Sequence, residues 1–191
     1  FRDREKILDI FEETTGGRLL YSYNCPGGLM NDIHPNFQKR VKEFIPYFRK
    51  SFKEYDELVT GNVIFQNRTM GIGLLTREQA IAYGVTGPAG RGSGFACDVR
   101  KRAPYSAYDK VQFNEILYNE GDSFARYKVR MDEMLESLKI IEQLIDNIPE
   151  GSYVEKMKAV IKLPEGEYFQ QVETARGELV VHIISDGNKT P

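Results

Sequence analysis

The densest concentration of chemistry-bearing residues runs from "GPAGRGSG", Gly87–Gly94, into "FACDVRKRAPYSAYD", which ends at Asp109. Four glycines and one arginine in eight positions have the composition of loops that wrap backbone N–H groups around phosphate. A P-loop needs G-x-x-x-x-G-K-[ST] between a strand and a helix. Gly87 and Gly92 have that separation, but Ser93 stands in the lysine position and Gly94 replaces the magnesium-holding hydroxyl. The dinucleotide pattern G-x-G-x-x-G is also out of register, and no strand–helix–strand unit surrounds it. A nucleotide-binding module therefore fails on both patterns. The remaining reading assigns Gly87, Gly90, Gly92 and Gly94 to the fold, as points of positive φ or close backbone approach.

Immediately downstream, Arg91, Asp98, Arg100, Lys101, Arg102, Tyr105, Tyr108 and Asp109 crowd into residues 91–109. Charges this dense in a Gly/Pro-rich segment form either a solvated surface or a buried network, stable only if every group is paired. "ETARGEL" places Glu173, Arg176 and Glu178 around a turn, either as an ordinary charged hairpin or with an arginine bridging carboxylates or facing a ligand. His34 and His182 are the only histidines, and with the distant Cys25 and Cys97 they give no zinc spacing. Neither histidine lies near a plausible nucleophile, so Ser–His–Asp and Cys–His catalysis have no support. The two cysteines are expected to be free and buried.

These residues must be held by elements whose periodicity is legible. Arg2–Thr15 reads as a helix with Ile7, Leu8 and Phe11 on one face and Gly16-Gly17 as its stop. "RLLYSYNCPGGLMNDIHP" reads as loop. From Pro35 a long helix carries the seam Phe37, Val41, Phe44, Phe48, Phe52 and Tyr55, with a kink or break expected near Ile45 because of Pro46. A second long helix spans Asp122–Ile148, its seam Phe124, Tyr127, Met131, Met134, Leu138, Ile141, Ile145 and Ile148 in unbroken 3-4 spacing. Asp122 or Ser123 caps its start and Pro149 ends it. Such stripes are core rather than a cofactor box, so both helices are assigned to bundle packing. "TREQAIAYG" reads as a short helix with Thr76 and Gln79 in capping-box spacing and Gly84 as its stop. Residues 85–110 read as irregular. "EYFQQVETARGELVVHIISDG" reads as two strands around "ARGE".

The expected fold is mainly α (α+β): a bundle of long helices with a minor β element. Residues 1–163 form the bundle with its Gly-rich loop at 85–110, and 164–191 a hairpin-like C-terminal segment of the same domain. With 191 residues, 41% hydrophobic and 28% charged, the chain can bury a real core. A net charge of −2 with interspersed signs does not support a dedicated nucleic-acid or membrane-surface binder. The apolar runs fall far short of the roughly 20 residues that span a bilayer. The chain opens inside a helix without methionine and stops just past a turn, so it is expected to be an excerpt of a longer protein.

Four segments in order, "FRDREKILDIFEETTGGR", "TGPAGRGSGFACDVRKRAPYSAYD", "GDSFARYKVRMDEMLESLKIIEQ" and "VETARGELVVHIISDG", carry a resemblance to the D subunit of respiratory complex I, proton-pumping NADH:quinone oxidoreductase. That family is similar to the large subunit of nickel–iron hydrogenases without the nickel-binding cysteines. The resemblance implies a hydrogenase-large-subunit-like helical bundle in the peripheral arm, beside the subunit that carries the terminal iron–sulfur cluster. The two subunits would form the quinone cavity. It implies no cofactor bound by this chain itself and membrane contact only through partner subunits. The location implied is the cytoplasmic side of the bacterial inner membrane, or the matrix side in mitochondria. The family's quinone-facing histidine and tyrosine lie upstream of this chain, and neither His34 nor His182 matches them. Arg91, Asp98, Arg100, Tyr105 and Arg176 are the positions expected to line or support the cavity or the cluster-adjacent region, acting electrostatically. No position is assigned a catalytic or metal-binding role, and the fragment alone is expected to be inactive. The alternative is the large subunit of a membrane-bound energy-converting nickel–iron hydrogenase, which shares the Gly-rich and Arg/Asp segments.

Overall fold

A computed structural model describes residues 1–158 and 160–188; the end of the C-terminal segment at 189–191 lies outside the described residues. The chain is a mixed α+β protein whose contacts separate into two compact units. The first is Phe1–Tyr55 with Ile141–Lys162; the second is Asp56–Ile140 with the described residues from Leu163 on. The hairpin thus groups with the Gly-rich segment in the second unit. The reason is physical: its turn packs directly on that segment, as described below.

In the first unit, α1 (Arg2–Thr15) ends at Gly16, whose φ of 79° gives the left-handed turn that releases the chain. It packs on α2 (Phe37–Tyr55) through Leu8 and Ile10 against a core that includes Val41, Ile45 and Ile145. The α2 helix runs unbroken through Pro46. Pro46 and Lys42, whose carbonyl loses its donor, are both on exposed positions where water replaces the missing bond. Phe44 and Phe48 stack along the seam with ring centroids 5.4 Å apart, followed by Phe48 and Tyr55 at 6.1 Å. The two helices are also pinned by polarity: buried Asp3 of α1 accepts hydrogen bonds from the hydroxyls of Tyr47 and Tyr55 of α2. The segment read as loop contains a small antiparallel ribbon, β1 (Asn24–Cys25) with β2 (Gly28–Leu29).

In the second unit, a π-helical turn at Asp56–Thr60 leads to α3 (Val63–Thr69), an element without an apolar periodicity that would have announced it. Its start is fixed by Asn62, whose side chain accepts from the N–H groups of Ile64 and Phe65. The α4 helix (Arg77–Ala82) has the full capping box of Thr76 and Gln79, and Gly84 follows with φ 63°. Short helical pieces then occupy parts of the stretch read as irregular: α5 (Gly87–Arg91), α6 (Val99–Arg102) and a 3-10 turn at Tyr108–Lys110.

The long helix α7 (Ser123–Leu144) contributes Ser123–Ile140 to the second unit and its last turn to the first. Asp122 caps it, with Oδ1 accepting from Ala125 N–H at 2.7 Å. The helix ends four residues before the expected Ile148. Asn147 donates its side-chain amide to Gln143 C=O, and Gln38 donates to Ile145 C=O, so these carbonyls are satisfied without further turns. Pro149 also disfavours a helical residue before it. Finally β3 (Gly166–Thr174) and β4 (Gly177–Ser185) pair antiparallel from Gly166–Ser185 to Thr174–Gly177, around the turn Ala175-Arg176. The described residues form a mixed α+β fold: in the first unit α1 packs on α2, and in the second the short helices pack on one another and on the hairpin, with most of α7 in the same unit. No helix among the described residues is long and apolar enough to cross a membrane.

Candidate functional site

The four glycines bring three backbones together. A Cβ on Gly87 would lie 2.3 Å from Gly177 Cα, and one on Gly90 2.7 Å from Val85 O. One on Gly92 would press on Arg126 of α7 at 3.0 Å, and one on Gly94 on Asn119 Oδ1 at 2.4 Å. Gly87 and Gly94 also have positive φ, at 66° and 73°. The space a phosphate would need is filled by protein, and α5 is a five-residue helix rather than the start of a long one. Carbonyls at its end are taken up by the neighbouring strand-like segment: Tyr118 N–H donates to Arg91 O and Gly121 N–H to Gly92 O.

This packing delivers Arg91 into the interior, where it is 1% exposed. Its Nη1 donates to Glu173 Oε1 of β3 at 2.9 Å. Its Nε lies 2.6 Å from Glu133 Oε1 of α7, a close ion pair whose two atoms are shut off from solvent. Glu173 uses its other oxygen to accept Val99 N–H at 3.2 Å. Tyr105 clips the same residue: its hydroxyl accepts Glu173 N–H at 3.1 Å and approaches Glu173 C=O at 3.4 Å.

A second arginine–carboxylate pair adjoins the first. Asp98 caps α6, with Oδ1 accepting Arg100 N–H at 2.9 Å, and its carboxylate is gripped side-on by Arg100 through Nε at 2.9 Å and Nη2 at 2.6 Å. The Asp98 side chain has no exposure. Glu115 Oε1 closes the turn by accepting the N–H groups of Cys97 and Asp98 at 2.8 and 2.9 Å. The guanidinium of Arg100 lies over the Phe113 ring at 4.9 Å, a cation–π contact on the network's rim.

These environments separate the ionisation of the groups. Burial works to raise the Asp98 carboxyl, but the hydrogen bonds and charge of Arg100 outweigh it and hold Asp98 below the usual range. Burial would lower Arg91, and the facing Glu133 and Glu173 reverse that, keeping it firmly charged. Glu133 differs: burial raises it, and the attraction of Arg91 does not bring it back. Burial also pushes up the Cys97 thiol and the Tyr105 hydroxyl.

Of the residues singled out in the sequence, Arg91, Asp98, Arg100 and Tyr105 come together here. Arg176 does not. It is exposed on the hairpin turn, with no side-chain hydrogen bond or ion pair among the described residues, while arginines from elsewhere reach the carboxylates beside it. Arg91 takes Glu173, and Arg102 takes Glu178 at 3.2 Å. Cys97 is buried, whereas Cys25 is half-buried; both thiols are free. His182 pairs with Glu167 on the exposed hairpin. No group of three or more His, Cys, Asp or Glu side chains among the described residues is arranged to hold a metal ion.

Glu133 and Glu115 were not singled out by sequence. A signal for Glu133 existed in α7, whose buried residues include Ala125, Val129, Glu136 and Ile140, a second face beside the aromatic–methionine seam. Carboxylates at 133 and 136 interrupt that stripe, as a helix facing arginines and loop N–H groups requires. Glu136 accepts Asn114 N–H at 2.8 Å.

A family model described as "Respiratory-chain NADH dehydrogenase, 49 Kd subunit" matches residues 1–162. The C/D subunit of NADH-quinone oxidoreductase from Bacteroides thetaiotaomicron is 65% identical over the whole chain, which spans 36% of that protein. The D subunit of NADH-quinone oxidoreductase from Desulfotalea psychrophila is 50% identical over 99% of the chain and 51% of its own length. The chain therefore spans about a third to a half of these curated relatives. A chain from the membrane-bound sulfane sulfur reductase, an archaeal respiratory membrane complex, superposes with a TM-score of 0.92 at 36% identity, covering all of this chain and 53% of its own. Family model, full-length relatives and solved structure converge: the chain belongs to the 49 kDa subunit family of the respiratory-chain NADH dehydrogenase.

Proposed function

We propose that this chain is part of the quinone-site subunit of NADH:quinone oxidoreductase, and that its buried arginine–carboxylate network supports the quinone cavity beside the terminal iron–sulfur cluster. The observation that carries the reading is the Arg91–Glu133–Glu173 and Asp98–Arg100 network. A cluster of fixed charges in a low-dielectric interior sets a strong local potential. Such a potential biases electron arrival at a nearby acceptor and links it to proton uptake, the coupling that proton translocation needs. In this role Arg91, Asp98, Arg100 and Tyr105 act electrostatically or by support, and Arg176 contributes from the exposed turn.

The cluster itself would sit in a neighbouring subunit, and the quinone at the interface of the two. The chain would bind neither alone and would be inactive in isolation. Peripheral association on the cytoplasmic side of a bacterial inner membrane, through partner subunits, fits the same reading. The helical bundle that the resemblance implies would be completed by the further length that the relatives possess. The names of the curated relatives do not favour the energy-converting hydrogenase alternative.

The test is Arg91→Ala and Asp98→Ala in the whole complex. Reduced quinone-linked turnover, or loss of assembly, is expected for both. Normal assembly with normal turnover in both variants would refute the role.

A further inference from the structure

Counting charge among the ion-paired groups, with Glu115 set aside because the N–H groups of Cys97 and Asp98 hold it, gives two guanidiniums, Arg91 and Arg100, against three carboxylates, Asp98, Glu133 and Glu173, whose side chains are 0%, 18% and 5% exposed respectively. One negative charge is in excess. A buried excess charge is relieved most readily by one proton, and the proton goes to the carboxylate whose ionised form is least well hydrogen-bonded.

The geometry ranks the three. Asp98 accepts from Arg100 through both oxygens and also caps α6. Glu173 accepts from Arg91 on one oxygen and from Val99 N–H on the other. Among the described residues Glu133 has a single close partner, Arg91 Nε against its Oε1, and no backbone N–H donates to its carboxylate, so it is the least supported of the three. The groups that set its charge state are Arg91 from α5, Asp98 and Arg100 from the start of α6, and, through Arg91, Glu173 from β3.

We infer that Glu133 is the proton-exchanging carboxylate of this network, taking up one proton while Arg91 remains charged and held by Glu173. The step is a simple protonation. The carboxylate gains one O–H bond, the proton comes from water along the side chain's exposed edge, and the cluster's charge goes from −1 to zero. Arg91 then keeps one fully charged partner, so the architecture survives either state. Burial acts in the same direction, since it disfavours the ionised form of Glu133. Glu133 is a positioning residue for charge rather than a catalytic one, and the inference rests on the quinone-site reading only where turnover is measured.

The experiment is infrared difference spectroscopy of the assembled complex, titrated upward from the ordinary carboxylate range, the direction in which burial moves a carboxyl group. Wild type should show a carboxylic-acid C=O band that fades as pH rises, and Glu133→Gln should lack it. Glu133→Asp serves if Glu133→Gln does not assemble, and should move the band and its midpoint. An identical titrating band in the variant and wild type overturns the inference. Quinone-linked turnover is measured on the same samples across the same range. Loss of the band with an unchanged pH profile of turnover leaves the inference standing and removes its link to quinone chemistry. A changed profile with an unchanged band overturns the inference and leaves the quinone-site reading intact.

Discussion

Arg91 Nη1 and Glu173 Oε1 stand 2.9 Å apart although 82 positions separate them in sequence, and their side chains are 1% and 5% exposed. This bond ties the Gly-rich helix to the hairpin. Removing the arginine while leaving its carboxylates buried strands uncompensated charge, which destabilises by about 3–5 kcal/mol. Arg91→Met should therefore lower the thermal stability of the subunit in the assembled complex or abolish assembly. Arg91→Lys should recover only part, because an ammonium cannot span Glu133 and Glu173 as a planar fork does. Thermal unfolding followed by native electrophoresis checks both variants; Arg91→Met melting with wild type contradicts the prediction.

Two glycines with nearly the same backbone angle should behave differently. Gly84 has φ 63° with open space where a Cβ would go, and Gly87 has φ 66° with Gly177 Cα 2.3 Å away. Gly84→Ala should destabilise by about 1–2 kcal/mol from left-handed strain alone. Gly87→Ala adds an overpacking term of about 1–3 kcal/mol and pushes the hairpin off its seat. Limited proteolysis should find faster cleavage around residues 166–185 in Gly87→Ala only.

Asp122 serves two segments, capping α7 through Ala125 N–H and accepting Gly71 N–H at 2.7 Å. Asp122→Ala loses the cap, a change of about 1 kcal/mol, together with the second hydrogen bond. Asp122→Asn keeps one acceptor oxygen and should lie between the two. Denaturant midpoints of the three proteins should fall in that order, and an alanine variant as stable as the asparagine one would argue against the double role.

The Asp3–Tyr47–Tyr55 cluster predicts a pH window. Hydrogen bonds from Tyr47, Tyr55 and Arg2 hold the Asp3 carboxyl well below the usual carboxylate range. Stability from this lowered group is present above its ordinary value of about 3.9 and is lost as pH falls below it. On the alkaline side, burial and the Asp3 carboxylate push Tyr55 up to about 12. That contribution is present below the ordinary tyrosine value of about 10 and disappears as pH rises beyond it. The stability gap between wild type and Tyr55→Phe should be widest between those limits and narrow on both sides. A gap independent of pH, in thermal melts from acid to alkaline buffer, would rule out the carboxylate–phenol linkage.

The elements most legible in the sequence were those with a strong local signature. The capping box at Thr76, the Gly16 stop and the hairpin around Ala175-Arg176 depend on near neighbours, and they stand where those residues imply. The length of α7 and the order within residues 85–110 depend on partners far away: Gln38 at the end of the helix, Gly177 and Arg126 against the glycines. The charged segment alone left a solvated surface and a buried network equally open. Glu133 and Glu173 decided it, since each sits on an element that sequence spacing could not place beside Arg91. Arg176 shows the converse, a residue adjacent in sequence to the carboxylates and remote from them in charge pairing.

The seat of the hairpin on Gly87 is made of main chain, at Gly177 and Arg176 O, with Glu178 N–H bonded to Thr86 Oγ1. Side chains further along the strands, such as Phe169, Val181 and Ile184, are exposed and take no part in it. The ribbon is therefore a fixed mount with an interchangeable face. Lineages can rewrite its outer residues to suit whatever lies against it, without disturbing the electrostatics at its base, whereas the two glycines at the joint are bound to persist or change together.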